Sequence, residues 1–366
     1  MRKLSKNYFI IPIFVPHLGC PHDCIFCNQR KITGLSTNIQ AIDVENIIEE
    51  HLSTFPKGPI KIEVAFYGGS FTGIDSRDQE KLLAVPYKYK KAGMIQGIRL
   101  STRPDYIDKN ILDLLKKYDV DTIELGVQSL DEEVLNKSYR GHSIEDVYRA
   151  SQLIKEYGFN LGLQMMIGLV GDNREKSIFT AKEFIKLDPY CVRIYPTLVI
   201  KDTYLEKLYK DKKYMPLSVE EAVDISTDIL MLFESHNINV IRIGLQPTEN
   251  IQLGKDVVAG PFHPSFRQLV EANIYKNLLE DYLKNYSISK IEDEIIIVEA
   301  NKKIISNISG QKSSNIKYLV EKFKLKKIKI YGEDFPLDII KVHVGDKEDI
   351  LSRSAAIEKI LQDQIY

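Results

Sequence analysis

Six short apolar runs, rich in β-branched or aromatic residues, alternate along this chain with amphipathic segments of helical spacing, and that alternation constrains the fold more than any other feature. The runs are Phe9–Val15, Ile60–Phe66, Gly97–Ser101, Thr122–Val127, Asn160–Ile167 and Cys191–Tyr195. Between them lie Asp43–Phe55, Arg77–Ala92, Lys109–Tyr118, Ile144–Tyr157 and Arg174–Leu187, the fourth with Ser143 placed to cap it and Glu145 and Asp146 in its first turn. Repeated strand–helix units imply parallel strands with right-handed crossovers. Six units predict a partial (β/α)6 TIM-like barrel rather than a complete eightfold one. Beyond them come helical sequence at Leu217–His236, a strand at Asn239–Ile243, and an irregular stretch, Gln246–Phe266, containing Gly254, Gly260, Pro261 and Pro264. A helix over Arg267–Asn285 leads to a strand–helix–strand pattern at Glu294–Ala300, Asn315–Phe323 and Lys327–Tyr331. The expected organisation is a barrel over 1–255, a connecting loop and helix over 256–290, and a small α+β domain over 291–366.

Lysine and arginine total 50 against 51 aspartates and glutamates, a net charge of −1 that excludes a uniformly basic nucleic-acid coat. No apolar run approaches the ~20 residues that span a bilayer. Arg2, Lys3 and Lys6 precede the apolar run Tyr8 to Val15, and Leu18-Gly19-Cys20 looks like a lipoprotein cleavage box. The run is short, however, is interrupted by Pro12, and is followed by Pro16 and His17. The expected location is therefore the cytoplasm, with no membrane partner.

Four cysteines in 366 residues are too few for a disulfide framework. Cys20, Cys24 and Cys27 fall within eight residues, and Cys191 lies far away at the start of a strand, where a buried thiol is expected. Three thiolates at spacings of four and three can wrap one corner of a cubic iron–sulfur cluster, each binding one iron. A cubane has four irons, so one keeps an open position, by the logic that separates catalytic from structural zinc sites. The loop follows the first strand, at the barrel end where α/β enzymes carry out chemistry. Zinc, with His17 or His22 as fourth ligand, fits the same spacing, and spacing alone does not separate the two.

Gly19-Cys20-Pro21-His22-Asp23-Cys24-Ile25-Phe26-Cys27 resembles the signature of the radical S-adenosylmethionine (SAM) superfamily, with Phe26 as the aromatic residue before the last cysteine. Tyr67-Gly68-Gly69-Ser70-Phe71-Thr72, ending the second strand, resembles that family's glycine-rich motif for the methionyl end of SAM. Three later stretches extend the likeness. They are Ser101-Thr102-Arg103-Pro104-Asp105-Tyr106, then Glu124-Leu125-Gly126-Val127-Gln128-Ser129 with Arg140-Gly141-His142, and Gln164-Met165-Met166-Ile167-Gly168-Leu169-Val170-Gly171. Together they resemble the branch containing the catalytic subunit of Elongator and the oxygen-independent coproporphyrinogen oxidases, over roughly Ile10 to Gln246. The resemblance implies a [4Fe–4S] cluster on Cys20, Cys24 and Cys27. It also implies a SAM site drawing on Phe26, Gly68, Gly69, Ser70, Thr102, Gln128, Arg140 and Gln164. Gln128 and Arg140 would hold the ribose and carboxylate of SAM, and Gln164 a further ribose or adenosine contact. At the place of Gln164 the porphyrin enzymes usually carry an acid, and Val170 replaces the usual proline of the Gly-Leu-Pro turn. A ferredoxin- or flavodoxin-like electron donor is implied as well.

Substrate contacts are expected from later strands and loops: Arg193 and Tyr195, Arg242 and Gln246, and His263 within Gly260-Pro261-Phe262-His263-Pro264. Each has an equal claim to a structural role. Between Asn301 and Tyr331 stand nine lysines and one acid, Glu321, in a chain that is otherwise near neutral. Ile308-Ser309-Gly310-Gln311-Lys312-Ser313-Ser314-Asn315-Ile316 is similar to the KH RNA-binding pattern, with serine in place of the second glycine. A solvated lysine-rich helix is the competing reading of the same run. The better-known relatives of the Elongator-like front half act on transfer RNA (tRNA), so modification of tRNA is the favoured activity. A porphyrin or other small-molecule oxidoreductase is the competing one, and a non-catalytic zinc-containing RNA-binding protein is the alternative of another class. The Elongator subunit also carries an acetyltransferase domain, which this chain is expected to be too short to include after its radical domain.

Overall fold

The computed structural model describes residues 7–15, 24–28, 39–245, 251–286 and 288–364. Cys20, Gln246, His17 and His22 lie outside the described residues. The chain begins with β1 (Tyr8–Val15), α1 (Ala41–Thr54), β2 (Lys61–Gly68), α2 (Ser76–Lys91), β3 (Gly97–Thr102) and α3 (Lys109–Lys117). Next come β4 (Thr122–Gln128), α4 (Glu132–Lys137), α5 (Ile144–Glu156), β5 (Asn160–Ile167), α6 (Arg174–Lys186) and β6 (Cys191–Pro196). They are followed by β7 (Val199–Ile200), α7 (Tyr204–Lys210), α8 (Val219–Ser235), β8 (Asn239–Ile243) and β9 (Val257–Ala259). The six expected strands and five expected helices are thus present. Ser143 caps α5 as anticipated, its hydroxyl accepting from the Asp146 amide at 3.1 Å.

Strands β1 to β6 pair side by side in chain order, every neighbour parallel, and β8 adds a seventh parallel strand beyond β6. The open α/β barrel therefore has one strand more than the six-unit pattern. One face is apolar up to Thr102 at the end of β3: Ile62, Val64 and Phe66 in β2, Ile98 and Leu100 in β3, Ile123, Leu125 and Val127 in β4, and Val192 and Ile194 in β6 are all buried. At roughly 1.5–3 kcal/mol for each fully buried large side chain, this face holds the sheet together.

The opposite face carries charge in an ordered row. Glu63, Arg99, Glu124 and Arg193 are each the third residue of their strand, and Gly162 takes the same place in β5. The Arg99 guanidinium donates to Glu63 at 2.8 Å and to Glu124 at 3.0 Å. Arg193 donates to the other Glu124 oxygen and, at 2.5 Å, to the Tyr67 hydroxyl, over whose ring it lies at 4.8 Å. Tyr8 closes the row at Glu63. Burial works to raise the Glu124 pKa, but Arg193 and Arg99 outweigh it and hold the carboxyl below its ordinary range.

Gly162 is what makes room. A Cβ there would come within 2.7 Å of the Glu124 Cγ and 3.3 Å of the Cys191 sulfur. Gly162→Ala is expected to lower stability by about 1–3 kcal/mol through overpacking, read as a reduced urea midpoint at unchanged m-value. A variant unfolding at the parental midpoint would show that the row can shift to accept a methyl group.

The first compact unit comprises Met1–Val219 and Ile238–Phe262, and the second Glu220–Asn237 and His263–Tyr366. The second contains α8, α9 (Phe266–Lys284), α10 (Ile288–Ile291), β10 (Ile295–Asn301), α11 (Ile305–Ser309), α12 (Ser314–Phe323) and β11 (Lys327–Glu333). It ends with β12 (Ile339–Val344), β13 (Lys347–Ser352) and α13 (Arg353–Gln364). Its sheet has the order β11-β10-β12-β13, parallel between β10 and β11 and antiparallel elsewhere. Ile296, Val298, Ala300, Ile340 and Val342 form its buried face, packed with Leu279, Leu283, Leu319 and Phe323 from the helices. Arg353 anchors this unit internally by pairing with Glu234 and, at 3.2 Å, with Glu271. No helix among the described residues is long and apolar enough to cross a membrane.

Candidate active site

Because all seven strands run the same way, the segments leaving their C-terminal ends gather along one edge of the sheet. The cysteine loop follows β1 there, and the Gly68-Gly69 turn lies against its base: β2 pairs Gly68 with Val15, and the Gly69 amide donates to the Val15 carbonyl at 2.9 Å. Gly68 has a φ of +100°, which disfavours any side chain, so the turn leaves no Cβ between its backbone and a ligand at that position.

Cys24 is buried and Cys27 half-buried, joined in a turn by the Cys27 amide donating to the Cys24 carbonyl at 3.0 Å. Ile25 between them is fully buried and packs with Val199, Leu205 and Tyr214, with Phe26 against the same cluster. The Ile25 amide donates to the Ser138 carbonyl at 3.2 Å, and its carbonyl accepts from the Leu205 amide at 2.8 Å. The loop is thus held on both sides by backbone.

Arg140 connects this loop to the end of β4. One guanidinium nitrogen approaches the Cys24 sulfur at 3.4 Å and another donates to the Gly126 carbonyl at 2.5 Å. Its Nε is buried and has no partner among the described residues. A buried unpaired donor suits an anionic ligand group. Gln128, with a φ of +73°, accepts from the Gln164 amide at 3.3 Å, so these two SAM-contact candidates meet where β4 ends beside β5. A Cβ on Gly126 would come within 3.0 Å of Arg140 and 3.1 Å of Gln128. Thr102 shares a 2.6 Å hydrogen bond with Thr72, and Ser70 is buried in the adjoining turn. His142 is buried, and that burial together with Arg140 and Arg103 pushes its pKa down to about 3, leaving a neutral ring. The soft sulfur donors, the neighbouring guanidinium and the open glycine turn fit a thiolate-held iron–sulfur cluster with an amino-acid ligand beside it.

The expected substrate contacts fare unevenly. Arg193 is engaged by Glu124 and Tyr67, and Tyr195 stands beside it, its hydroxyl 3.4 Å from the guanidinium. Arg242 donates to the Gly244 carbonyl at 3.1 Å and is registered opposite Arg193. His263 belongs to the second unit, where its Nδ1 accepts from the Ser265 amide at 3.1 Å. Cys191 is a buried thiol, its pKa pushed up to about 12 by burial with Glu124 adding to the effect. Sequence reasoning missed the role of Tyr8, Glu63, Arg99 and Tyr67. The recurrence of a charge at the third position of successive strands was the signal available.

The Radical SAM superfamily model matches residues 14–182, and the Radical_SAM C-terminal domain model matches residues 189–276. An uncharacterized protein of Methanocaldococcus jannaschii is 30% identical over 240 residues, covering 63% of this chain and 73% of that protein. A tRNA uridine(34) acetyltransferase of the same organism is 36% identical over 258 residues, covering 59% of this chain. The chain spans only 47% of that acetyltransferase. Among solved structures, the archaeal Methanocaldococcus infernus Elp3 with an N-terminal deletion aligns with a TM-score of 0.54 at 22% identity, over 76% of this chain and 63% of that one. The two family models in sequence order, the relative matched over most of its length and the parallel open barrel with its thiol loop agree: this chain belongs to the radical SAM superfamily and is an enzyme of that family.

Proposed function

We propose that this enzyme holds a [4Fe–4S] cluster on Cys20, Cys24 and Cys27, cleaves SAM reductively, and uses the resulting radical to modify RNA, with tRNA as the favoured substrate. The observation that carries the cofactor reading is Arg140, which ties the Cys24 sulfur to the end of β4 and keeps a buried Nε unsatisfied. When bound, the cluster supplies one electron from a ferredoxin- or flavodoxin-like donor, which breaks the C5′–S bond of SAM to give methionine and a 5′-deoxyadenosyl radical able to take a substrate hydrogen. The chain's own residues bind and orient. Gly68, Gly69 and Ser70 receive the amino-acid end, Arg140 its carboxylate, and Gln128 and Gln164 the ribose. Arg193 and Glu124, neutralising each other beneath, give the site a fixed polar floor rather than a mobile charge.

Two observations support RNA. Relatives matched over about half their length are named tRNA uridine(34) acetyltransferase, and others Elongator complex protein 3. In the second unit, Lys303, Lys312, Lys317, Lys326, Lys327 and Lys329 make no ion pair among the described residues. Gly310–Ser313 joins α11 to α12 beside them, with φ of +71° at Gly310, +50° at Lys312 and +60° at Ser313. Such unneutralised lysines suit phosphate, whose contacts release counterions.

The test is anaerobic reconstitution with SAM and dithionite, measuring 5′-deoxyadenosine with and without bulk tRNA. Stimulation by tRNA that fades as salt rises is expected. No effect of RNA would favour the small-molecule reading, and a colourless zinc protein without SAM cleavage would defeat the cofactor assignment. Arg140→Lys is expected to weaken SAM binding by roughly tenfold or more, because a point charge replaces a planar fork. Equilibrium dialysis with SAM gives the comparison, and parental affinity would remove Arg140 from the site.

A further inference from the structure

The cysteine loop is pinned on each side by a residue whose immediate neighbour is an exposed tyrosine. Ser138, which accepts from the Ile25 amide, is followed by Tyr139; Leu205, which donates to the Ile25 carbonyl, is preceded by Tyr204. The two rings stack with centroids 6.0 Å apart and planes 23° from parallel. Tyr139 is 58% exposed and Tyr204 47%. Large aromatics that fold against each other yet stay this open contribute little core, although an aromatic face is a good surface for a planar partner.

Tyr139 also occupies a backbone position that does not suit it. The helix α4 ends in a Schellman arrangement, with the Tyr139 amide donating to the Asn136 carbonyl at 3.1 Å and the Arg140 amide to the Leu135 carbonyl at 3.0 Å. Tyr139 fills the left-handed place of that motif with a φ of +52°, where glycine or asparagine carries the smaller conformational cost. The ring, rather than the turn, accounts for a tyrosine here. The next residue is Arg140, which turns inward to Cys24, so the exposed ring sits on the outer rim of the same loop.

One lysine stands at the pair, and two more follow just after α7, beside the exposed Asp211. The Lys207 ammonium lies 6.0 Å from the Tyr204 ring centroid. Lys207, Lys212 and Lys213 are exposed and make no ion pair among the described residues, while Glu206 is taken up by Lys210 at 2.8 Å. Open aromatic faces flanked by unneutralised lysines are the surface to which single-stranded nucleic acid binds, bases stacking and phosphates meeting the cations.

We propose that Tyr139 and Tyr204 form a stacking platform for an unpaired base flanking the reactive position of the RNA substrate, with Lys207, Lys212 and Lys213 contacting its phosphates. The proposal rests on the reading of RNA as substrate. It is tested on the full chain by fluorescence anisotropy with a labelled oligoadenylate and with bulk tRNA over a range of potassium chloride concentrations. Tyr139→Asn keeps a residue that suits the left-handed turn, so the thermal midpoint should hold or rise. It should nevertheless weaken binding of both RNAs by roughly tenfold, the scale of one lost base–aromatic stack, with the salt slope unchanged. Tyr204→Ser should behave alike, whereas Lys207→Gln combined with Lys212→Gln should flatten the salt slope. If the parent binds both RNAs and Tyr139→Asn binds them equally well, the platform is refuted and the RNA reading stands. If the parent binds neither, both fall. If RNA affinity survives in the tyrosine variants but their reduction by flavodoxin slows, the surface is a dock for the electron donor, and the proposal is overturned.

Discussion

Replacing Cys24 with alanine is expected to bring 5′-deoxyadenosine formation down to background, and Cys27→Ala to do the same. Each removes one of three thiolates in the proposed ligand set, and with two left no corner of a cubane is held in place. Cys24 is the more telling position, because Arg140 donates toward its sulfur and the alanine would strand that guanidinium nitrogen as well. The loop itself should persist, since Ile25 holds it through two backbone hydrogen bonds and a buried apolar side chain. The measurement is iron content and 5′-deoxyadenosine after anaerobic reconstitution, with thermal unfolding as the control for folding. Turnover retained by either variant would defeat the ligand assignment.

The second large effect is on stability. Glu124→Ala removes the carboxylate between two buried guanidiniums, leaving Arg193 without an anionic partner and Arg99 with Glu63 alone among the described residues. Breaking a buried pair from one side costs about 3–5 kcal/mol, a large fraction of a domain's total stability. Urea unfolding should show it directly, and a loss under about 1 kcal/mol would mean that water reaches the freed arginines. The parent carries a matching acid sensitivity. Burial opposes ionisation of Glu124, but the two arginines hold its folded pKa below the unfolded value. Its contribution is therefore present above the ordinary glutamate pKa of about 4.3 and is lost as pH falls through the lower folded value. Glu124→Gln, which cannot ionise, should flatten that acid limb.

Much of the barrel was legible because parallel strands covered by helices announce themselves as short apolar runs between turn residues. Each expected strand starts and stops within two residues of an observed one, while β7 and β9 were not anticipated. The short helices α4 and α7 escaped notice, since six or seven residues give too few turns for a periodic pattern. So did the β12–β13 hairpin, whose open face mixes Lys341, His343, Glu348 and Ile350 and so blurs alternation. Cysteine spacing and glycine turns are local and could be read directly. The Arg140–Cys24 contact bridges 116 positions and the Arg193–Glu124 pair 69, distances across which only the sheet register brings partners together.

That register has its own consequence. Apolar alternation detects a strand displaced by one residue, because every side chain would then change faces, but it is blind to a displacement by two. The row of Glu63, Arg99, Glu124 and Arg193 is not blind. The row climbs two residues against the register from β2 to β3 and two more from β3 to β4, so a two-residue slip would keep the oily side oily and yet change the offset at which Arg99 meets Glu63 and Glu124. The chain thus proofreads its own strand alignment electrostatically, well below the rim where a radical would be handled, and the loops above can diverge in sequence without loosening that check.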